Sequence, residues 1–380
     1  MTLAFVTNLV HHHQLPVADE FYKQLGDGFH YIATMPLTDV LIRGGYDPNL
    51  DRNYIIRPYR SQQEMEGARR LIDECDVVIY GAAPLEWVIK RKERNKVTFH
   101  YSERWFKESI WKNFTPWNLG RIWYNYGRFR NNKVYMLCAS AFTAQDVHWF
   151  GCFPHKCFKW GYFTSVDADY KVQASDERET SGFVNMMWCA RFLDWKHPEL
   201  PILLAESLKK KGYRFQIDMY GGGEQFDKCK DLIVQSGVEE YVNLLGNLPN
   251  EKILKAMRKH EIFLFTSDRN EGWGAVLNEA MSNGCAAVAS HEIGSAPFLI
   301  KDKENGLLFI SKDLNSLEEK VIFLLGNPDQ CKAIRTEAVN TMQNKWSPTI
   351  AAKAFLKLTE CILADGLEKY DVNEGPASWA

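Results

Sequence analysis

Thr266-Ser267-Asp268-Arg269-Asn270-Glu271-Gly272-Trp273-Gly274-Ala275-Val276-Leu277-Asn278-Glu279-Ala280-Met281-Ser282-Asn283-Gly284 begins at the end of the apolar run Ile262–Thr266 and leads into a second, Ala286–Ser290. The spacing predicts a strand, a glycine-bearing loop, a helix over Ala275–Ser282 and another strand. Free backbone N–H groups at the start of that helix then face the carboxyl ends of the strands, an anion and ligand site in an open α/β sheet. Glu271 lies in the loop and Glu279 about one turn inside the helix, so two acceptor-only carboxylates can address one polyhydroxylated ligand. The glycines let the backbone approach that ligand closely.

The same alternation extends outward in both directions. Upstream come strand Val184–Ala190, helix Leu200–Lys211, strand Phe215–Tyr220, helix Phe226–Gln235, strand Val242–Leu245 and helix Glu251–Lys259; downstream lies strand Leu307–Ile310. The first half repeats the pattern with strands Leu3–Val10, Phe29–Thr34, Asp76–Gly81, Val97–His100, Val134–Ala139 and Phe158–Phe163, and helices Val17–Leu25, Gln62–Asp73 and Pro84–Arg91 between them. Strands alternating with helices predict α/β architecture with parallel sheets. The stretch Asp167–Gly182 is polar and has neither period, so it reads as an interdomain connection. The expected organisation is an N-terminal Rossmann-like domain over 1–170, a linker over 171–182, a second Rossmann-like domain over 183–346, and a helical segment over 347–380 that can pack back on the first domain.

The Glu271–Glu279 stretch resembles glycosyltransferase family 4, whose hallmark is Glu-Gly-Phe-Gly, an apolar stretch, and a second Glu eight positions after the first; Trp273 stands where Phe is usual. A second piece supports the resemblance: Arg191 is followed five residues later by Lys196, the family's spacing for two cations that grip a donor diphosphate. Fixed cations there stabilise the charge left when the anomeric C–O bond breaks. Asp218-Met219-Tyr220-Gly221-Gly222-Gly223 resembles the glycine turn near the nucleotide, whereas His197 replaces a usual Gly and Phe298 occupies the place of an expected acid.

The resemblance implies a GT-B fold, two doubly wound domains facing a cleft, and a retaining hexosyltransferase that uses a UDP- or GDP-sugar without a metal, in bacterial surface polysaccharide or glycan biosynthesis. It assigns donor contacts to Arg191, Lys196, Gly221, Glu271, Gly272, Trp273, Gly274 and Glu279, with the first Glu on the hexose and the second on the ribose. Arg191, Lys196, Glu271 and His100 are the expected catalytic group. No residue stands out as a covalent nucleophile, which fits front-face attack with the leaving phosphate taking the acceptor proton. A catalytically inactive nucleotide-sugar-binding partner subunit is the alternative, against which the intact Arg191, Lys196, Glu271 and Glu279 argue. A dinucleotide oxidoreductase shares the α/β pattern, but its glycine fingerprint is missing after the first strand.

Where that fingerprint would stand, the chain has His11-His12-His13. Consecutive residues do not readily face one metal, so these three are read as acceptor contacts, with an ordinary polar loop as the alternative. His100 and Glu103, at the carboxyl end of another strand, are also assigned to the acceptor, a glycan or lipid-linked glycan. Glu103 as a residue favoured by a helix dipole is the competing reading. Between Arg104 and Lys133 lie seven Lys and Arg, one acid and nine aromatics. Such a segment either contacts a membrane peripherally or forms an aromatic core face under snorkelling cations. His148, Cys152, His155 and Cys157 fit no common zinc spacing and are read as core and loop.

Composition bounds these readings. A chain of 380 residues, 46% hydrophobic and 25% charged, supports about two ordinary globular domains. The net charge is −2, and residues 1–170 hold 21 Lys and Arg against 18 Asp and Glu, too small a basic excess for nucleic acid as the main partner. No run approaches the roughly 18–20 apolar residues of a membrane span, and the N-terminus lacks the basic start of a signal peptide. Nine scattered cysteines suggest reduced thiols. The expected location is cytoplasmic, with peripheral attachment at the inner face of the plasma membrane open.

Overall fold

The computed structural model describes residues 1–38, 50–172 and 183–380. The expected linker at 171–182 therefore lies, from residue 173 onward, outside the described residues. The chain divides into two compact units, 1–165 together with 345–380, and 166–344.

In the first unit seven parallel strands form one sheet in the order β3-β2-β1-β4-β5-β6-β7. They are β1 (Leu3–Thr7), β2 (Phe29–Ala33), β3 (Ile55–Ile56), β4 (Val77–Tyr80), β5 (Val97–Ser102), β6 (Val134–Cys138) and β7 (Cys157–Lys159). β1, β4 and β6 are buried throughout, which is why they read as continuous apolar runs without a polar alternate face. Helix α1 (Leu15–Leu25) buries Leu15, Ala18 and Phe21. Phe21 meets Phe355, 5.5 Å between ring centroids, on the C-terminal helix Pro348–Leu363. Phe355 also touches Phe99 and Trp160, so the last long helix closes one face of the first sheet. Beyond it the tail returns to the edge strand: Ala377 donates to the Lys159 carbonyl, Lys159 to that of Ser378, and Trp379 stacks near Phe158.

Helix α2 (Gln62–Glu74) starts where the Ser61 hydroxyl caps the Glu64 N–H. The expected helix over Pro84–Arg91 is instead a 3₁₀ turn, Leu85–Val88, followed by α3 (Ile89–Glu93). Extended Pro84 and Val88, whose ψ of 0° leaves the helical well, interrupt it. Helix α4 (Pro116–Asn125) occupies the middle of the basic, aromatic segment, with Thr115 as its N-cap. A short helix α5 (Thr143–His148) follows β6.

The second unit repeats the plan with six parallel strands in the order β10-β9-β8-β11-β12-β13. These are β8 (Val184–Cys189), β9 (Phe215–Tyr220), β10 (Val242–Gly246), β11 (Ile262–Phe265), β12 (Ala286–Ser290) and β13 (Leu307–Phe309). Around them lie α6 (Glu199–Lys210), α7 (Phe226–Gln235), α8 (Asn250–Met257), α9 (Val276–Ser282), α10 (Ala296–Leu299), α11 (Leu314–Gly326) and α12 (Pro328–Asn344). The core gathers Trp188, Phe192, Leu204, Ile217, Leu264, Val288 and Val321, the inward faces of sheet and helices. Residues 167–170 are tied to this unit by Arg258 on Asp167, by Gln343 on the Asp167 and Tyr170 carbonyls, and by Tyr170 on the Asn283 carbonyl. Pro348–Leu363 is α13.

In both sheets the first strand of the unit has its second strand on one side and its fourth on the other. The order of winding reverses between β1 and β4, and again between β8 and β11. Ligands in open α/β sheets bind outside the carboxyl ends of the strands at such a reversal.

Candidate active site

The loops that leave β8 and β11 at this reversal are fastened to each other. Thr266, at the end of β11, receives the Trp188 indole N–H and gives its own hydroxyl proton to the Lys196 carbonyl, 2.7 Å away. The Asp268 N–H donates to the Trp195 carbonyl at 2.9 Å. Across this seam the Lys196 ammonium forms an ion pair with the Glu271 carboxylate, and both residues are buried. The Trp195 ring lies 4.2 Å from the same ammonium and supports it from its face. Two residues 75 positions apart in sequence are thus brought together by strands that are neighbours in the sheet.

His197 completes the turn in the left-handed region, φ 50° and ψ 56°. This backbone requirement gives a physical reason for glycine as the usual occupant. Here the imidazole contacts Glu199 at 2.9 Å and Asp268 at 3.4 Å. Burial opposes its protonation, but these two carboxylates prevail and hold its pKa above the usual value. Lys312 reaches the same Asp268 oxygen at 2.9 Å. Burial disfavours the Asp268 charge, yet the Asn270 N–H, Lys312 and His197 keep its pKa below the ordinary range. Asp268 escaped the sequence reading; the local signal was an acid three residues before Glu271, which alone does not announce a partner at Lys312.

Glu279 sits in α9 and is 8% exposed. Burial pushes its pKa up to about 7, against a single stabilising hydrogen bond from the Asn250 side chain at 3.3 Å. Its neighbour Cys189, at the end of β8, has a thiol pushed up to about 12, first by burial and then by the Glu279 charge, with Lys196 pulling the other way. Glu279 and Lys196 therefore both act on the end of the same strand. Arg191 is exposed, and its guanidinium has no hydrogen-bond or ion-pair partner among the described residues.

Glycine geometry shapes the surrounding backbone. Gly221 has φ +128°, and a Cβ there would meet the Ala190 carbonyl oxygen at 1.9 Å, so the turn after β9 lies directly against the exit of β8. Gly274 has φ +85°, and a Cβ would meet the Phe265 ring at 2.6 Å and the Glu271 side chain at 3.1 Å. Trp273 is fully buried and its indole N–H is bonded to Asn278, so in this state it supports the loop from below. Phe298 lies near Trp273, 6.3 Å between ring centroids. The buried hydroxyls of Ser267 and Ser295 lack hydrogen-bond partners among the described residues.

The first unit has its own cavity, about 620 Å³, at the carboxyl ends of β1, β4 and β5. Strand register forms part of its lining: Tyr80 stands beside His100 and His100 beside Met136, so one row of three adjacent strands contributes all three. His100 is 3% exposed, and its Nε2 has no partner among the described residues. Burial, with the Lys92 charge in support, drives its pKa well below the usual value and keeps the ring neutral. Glu103 also lines the cavity; it pairs with Lys107 and accepts the Tyr162 hydroxyl at 2.9 Å.

The three histidines separate. His11 lines the cavity and its Nε2 lies 3.2 Å from the Asn8 side chain, while His12 and His13 are outside that lining and contact each other. Burial lowers all three pKa values, that of His11 to about 4 with help from His12, and that of His13 to about 3 with help from both neighbours. Among the described residues no cluster of three or more His, Cys, Asp or Glu side chains is arranged to hold a metal ion. His148 and Cys157 lie 3.6 Å apart and belong to no such cluster among the described residues. None of the nine cysteines is in a disulfide.

Two sheets of this topology, each with its ligand position at a reversal of winding, define a GT-B fold. Overall likeness agrees: Anabaena HepE in complex with UDP matches with a TM-score of 0.69 at 14% identity, covering 95% of this chain and all of that one. Residues 173–341 match the family model of glycosyl transferases group 1, essentially the length of the second unit. An uncharacterized glycosyltransferase of Methanocaldococcus jannaschii is 27% identical over 132 residues, 35% of this chain and 36% of that protein. The poly(ribitol-phosphate) alpha-N-acetylglucosaminyltransferase of Staphylococcus aureus is 26% identical over 170 residues, 44% of this chain and 34% of that protein. The matches thus span about a third of each curated relative's length.

Proposed function

We propose that this chain is a retaining glycosyltransferase that moves a hexose from a UDP- or GDP-linked donor to a hydroxyl of a glycan or lipid-linked glycan. The observation that carries the reading is the Lys196–Glu271 pair, buried at the winding reversal of the second sheet with Arg191 unpartnered on the same loop. A donor supplies Arg191 with a partner and gives Lys196 and Glu271 each a new one. Its diphosphate meets the two cations, and its hexose hydroxyls donate to Glu271 as Lys196 turns towards phosphate. Charge that develops on the departing diphosphate is then met by Arg191 and by Lys196 once it has turned to the bound donor.

The ribose hydroxyls are assigned to Glu279, whose carboxyl accepts a hydrogen bond from the Asn250 side chain and from no other side chain among the described residues. The acceptor is assigned to the first unit's cavity, where neutral His100 can take or give a hydrogen bond to a sugar hydroxyl and Glu103 stands with His11 in the lining. The names of relatives such as the S. aureus enzyme favour cell-surface glycan assembly as the setting.

The test is a thermal-shift screen of UDP, GDP and their sugars, because a ligand that binds only the native state raises its stability by mass action. It is followed by release of nucleotide from the best donor. Release by the wild-type chain that disappears in Glu271→Gln and in Arg191→Ala supports the proposal. Stabilisation by a nucleotide sugar with no release under any acceptor condition favours the inactive-subunit reading, and stabilisation by NAD alone overturns both.

A further inference from the structure

Arg104, Lys107 and Tyr126 of the basic, aromatic segment between Arg104 and Lys133 line the first unit's cavity, while the rest of the segment is not used by the proposed chemistry, and the structure splits it in two. Phe106, Ile122 and Phe129 are buried in the first unit. Trp111 and Trp117 are each 81% exposed and Trp123 is 53% exposed. Trp149 from the next helix adds a fourth exposed indole at 66%, joined to the segment by its edge contact with Phe114. Exposed large apolar side chains scattered singly are ordinary, whereas a group of them marks an interaction surface. Among the described residues, four of the five exposed tryptophans fall between residues 111 and 149, and the Phe114–Trp149 contact brings the far end of that range back to its start.

α4 carries the centre of it. Ile122 and Asn125 face inward, while Trp117, Trp123 and Tyr124 all remain exposed. Exposed cations stand among the rings: Lys112, Arg121, and Arg130 with its guanidinium 5.9 Å from the Trp123 ring. The only acid in residues 104–133 is Glu108, which is bonded to Lys112. Asp146, Glu103, Glu93 and Asp365 pair with Arg104, Lys107, Arg128 and Lys133, which leaves Arg121 and Arg130 as the cations of the segment with no acidic partner among the described residues.

We propose that this face docks on a bilayer that contains anionic lipid, with the indoles at the headgroup level and the cations on lipid phosphates. Tryptophan is favoured at that depth because its ring is apolar and its N–H is polar. Juxtaposed Lys and Arg add attraction to a negatively charged surface. A second copy of the chain fits less well: a symmetric contact sets a patch against itself, so Lys112, Arg121 and Arg130 would face their own counterparts. No described helix is long and apolar enough to cross a membrane.

The experiment is co-sedimentation of the full chain with vesicles of phosphatidylcholine alone and of phosphatidylcholine with phosphatidylglycerol. Wild type sediments with the anionic vesicles, and binding falls as salt is raised. The triple variant Trp111→Ser, Trp117→Ser, Trp123→Ser keeps the wild-type melting temperature, because its side chains are exposed, and loses about tenfold or more in partitioning. Arg121→Gln and Lys112→Gln each cost about fivefold. Wild type left in the supernatant with anionic vesicles overturns the proposal, as does a triple variant that binds equally well. A chain that sediments as a dimer in the ultracentrifuge, is made monomeric by the triple substitution and ignores vesicles assigns the face to a second copy instead. Vesicle binding is read without any transfer reaction, so its failure is separate from failure of the proposed chemistry.

Discussion

Glu279→Gln removes one ionisable carboxyl from the second unit while leaving an amide oxygen for the Asn250 hydrogen bond. The wild-type group has its pKa raised from 4.5 to about 7, chiefly by burial. A carboxyl whose folded pKa exceeds its unfolded value holds its proton more tightly in the native state. Its contribution to stability is fully present below about pH 4.5, declines as pH rises, and is lost above about pH 7. At about 1.4 kcal/mol per pH unit the loss is on the order of 3 kcal/mol. For a unit of this size that is on the order of 5–10 °C in midpoint. Glutamine does not titrate, so calorimetry of the ligand-free proteins from pH 5 to 8 should show wild type falling relative to the variant by that amount. The comparison cancels other groups that titrate in both. Parallel midpoints across the range would refute the reasoning and place the Glu279 carboxyl in contact with water or a cation. Under the proposed function, saturating UDP narrows the difference, because ribose hydroxyls that donate to the carboxylate stabilise the charged form.

Other substitutions probe the neighbouring loops. Gly221→Ala, with a Cβ 1.9 Å from the Ala190 carbonyl oxygen, should prevent the native turn and yield insoluble protein, whereas Gly212→Ala, also at positive φ but with open space around it, should cost only about 1–2 kcal/mol in a melting experiment. Lys196→Ala should destabilise by about 3–5 kcal/mol because it strands a buried carboxylate; the double variant Lys196→Met, Glu271→Gln should recover most of the midpoint, and failure to recover would show that the pair is not the cause. Arg191→Ala should leave the midpoint unchanged, since the guanidinium is exposed and unpartnered among the described residues, and should weaken UDP binding by about tenfold in calorimetric titration. Removal of residues 375–380 uncovers the edge strand β7 and the Phe158–Trp379 contact, so the truncated chain should aggregate at concentrations where the full chain stays dispersed, as light scattering would show.

The parallel-sheet architecture was legible because buried strands such as Leu3–Thr7 and Val134–Cys138 are continuous apolar runs, and their burial follows from helices on both faces. β3 escaped notice because two residues, Ile55–Ile56, carry no periodicity. The segment around α4 was legible only as two alternatives. Its composition mixes residues that the fold separates: Ile122 and Phe129 go inward, Trp117 and Trp123 outward, so core face and exposed surface are both present in one stretch. The place of Trp273 beside Glu271 suggests a donor contact, whereas the inward turn of its indole to Asn278 is set by packing and is not legible in the sequence.

The two candidate sites differed in legibility for a reason that lies in how each is built. In the second unit the chemistry sits on loops with strict backbone demands: glycine at φ +128° and +85°, a left-handed residue at His197, and carboxylates and cations at fixed offsets from them. Such demands leave marks in a linear sequence. The first unit's cavity has no comparable signature, because part of its lining is a row across three strands, Tyr80, His100 and Met136, and a row exists only once register is set. Parallel neighbours are joined by long crossovers, so no turn fixes that register locally. A shift of one residue in β5 would turn His100 to the opposite face and bring Phe99 or Tyr101 into its place. His100 could therefore be singled out as a histidine near a strand end, but its neutrality comes from burial with the Lys92 charge in support, and that burial exists only once the sheet has set Tyr80 and Met136 beside it and Tyr126 and Phe153 have packed on its ring.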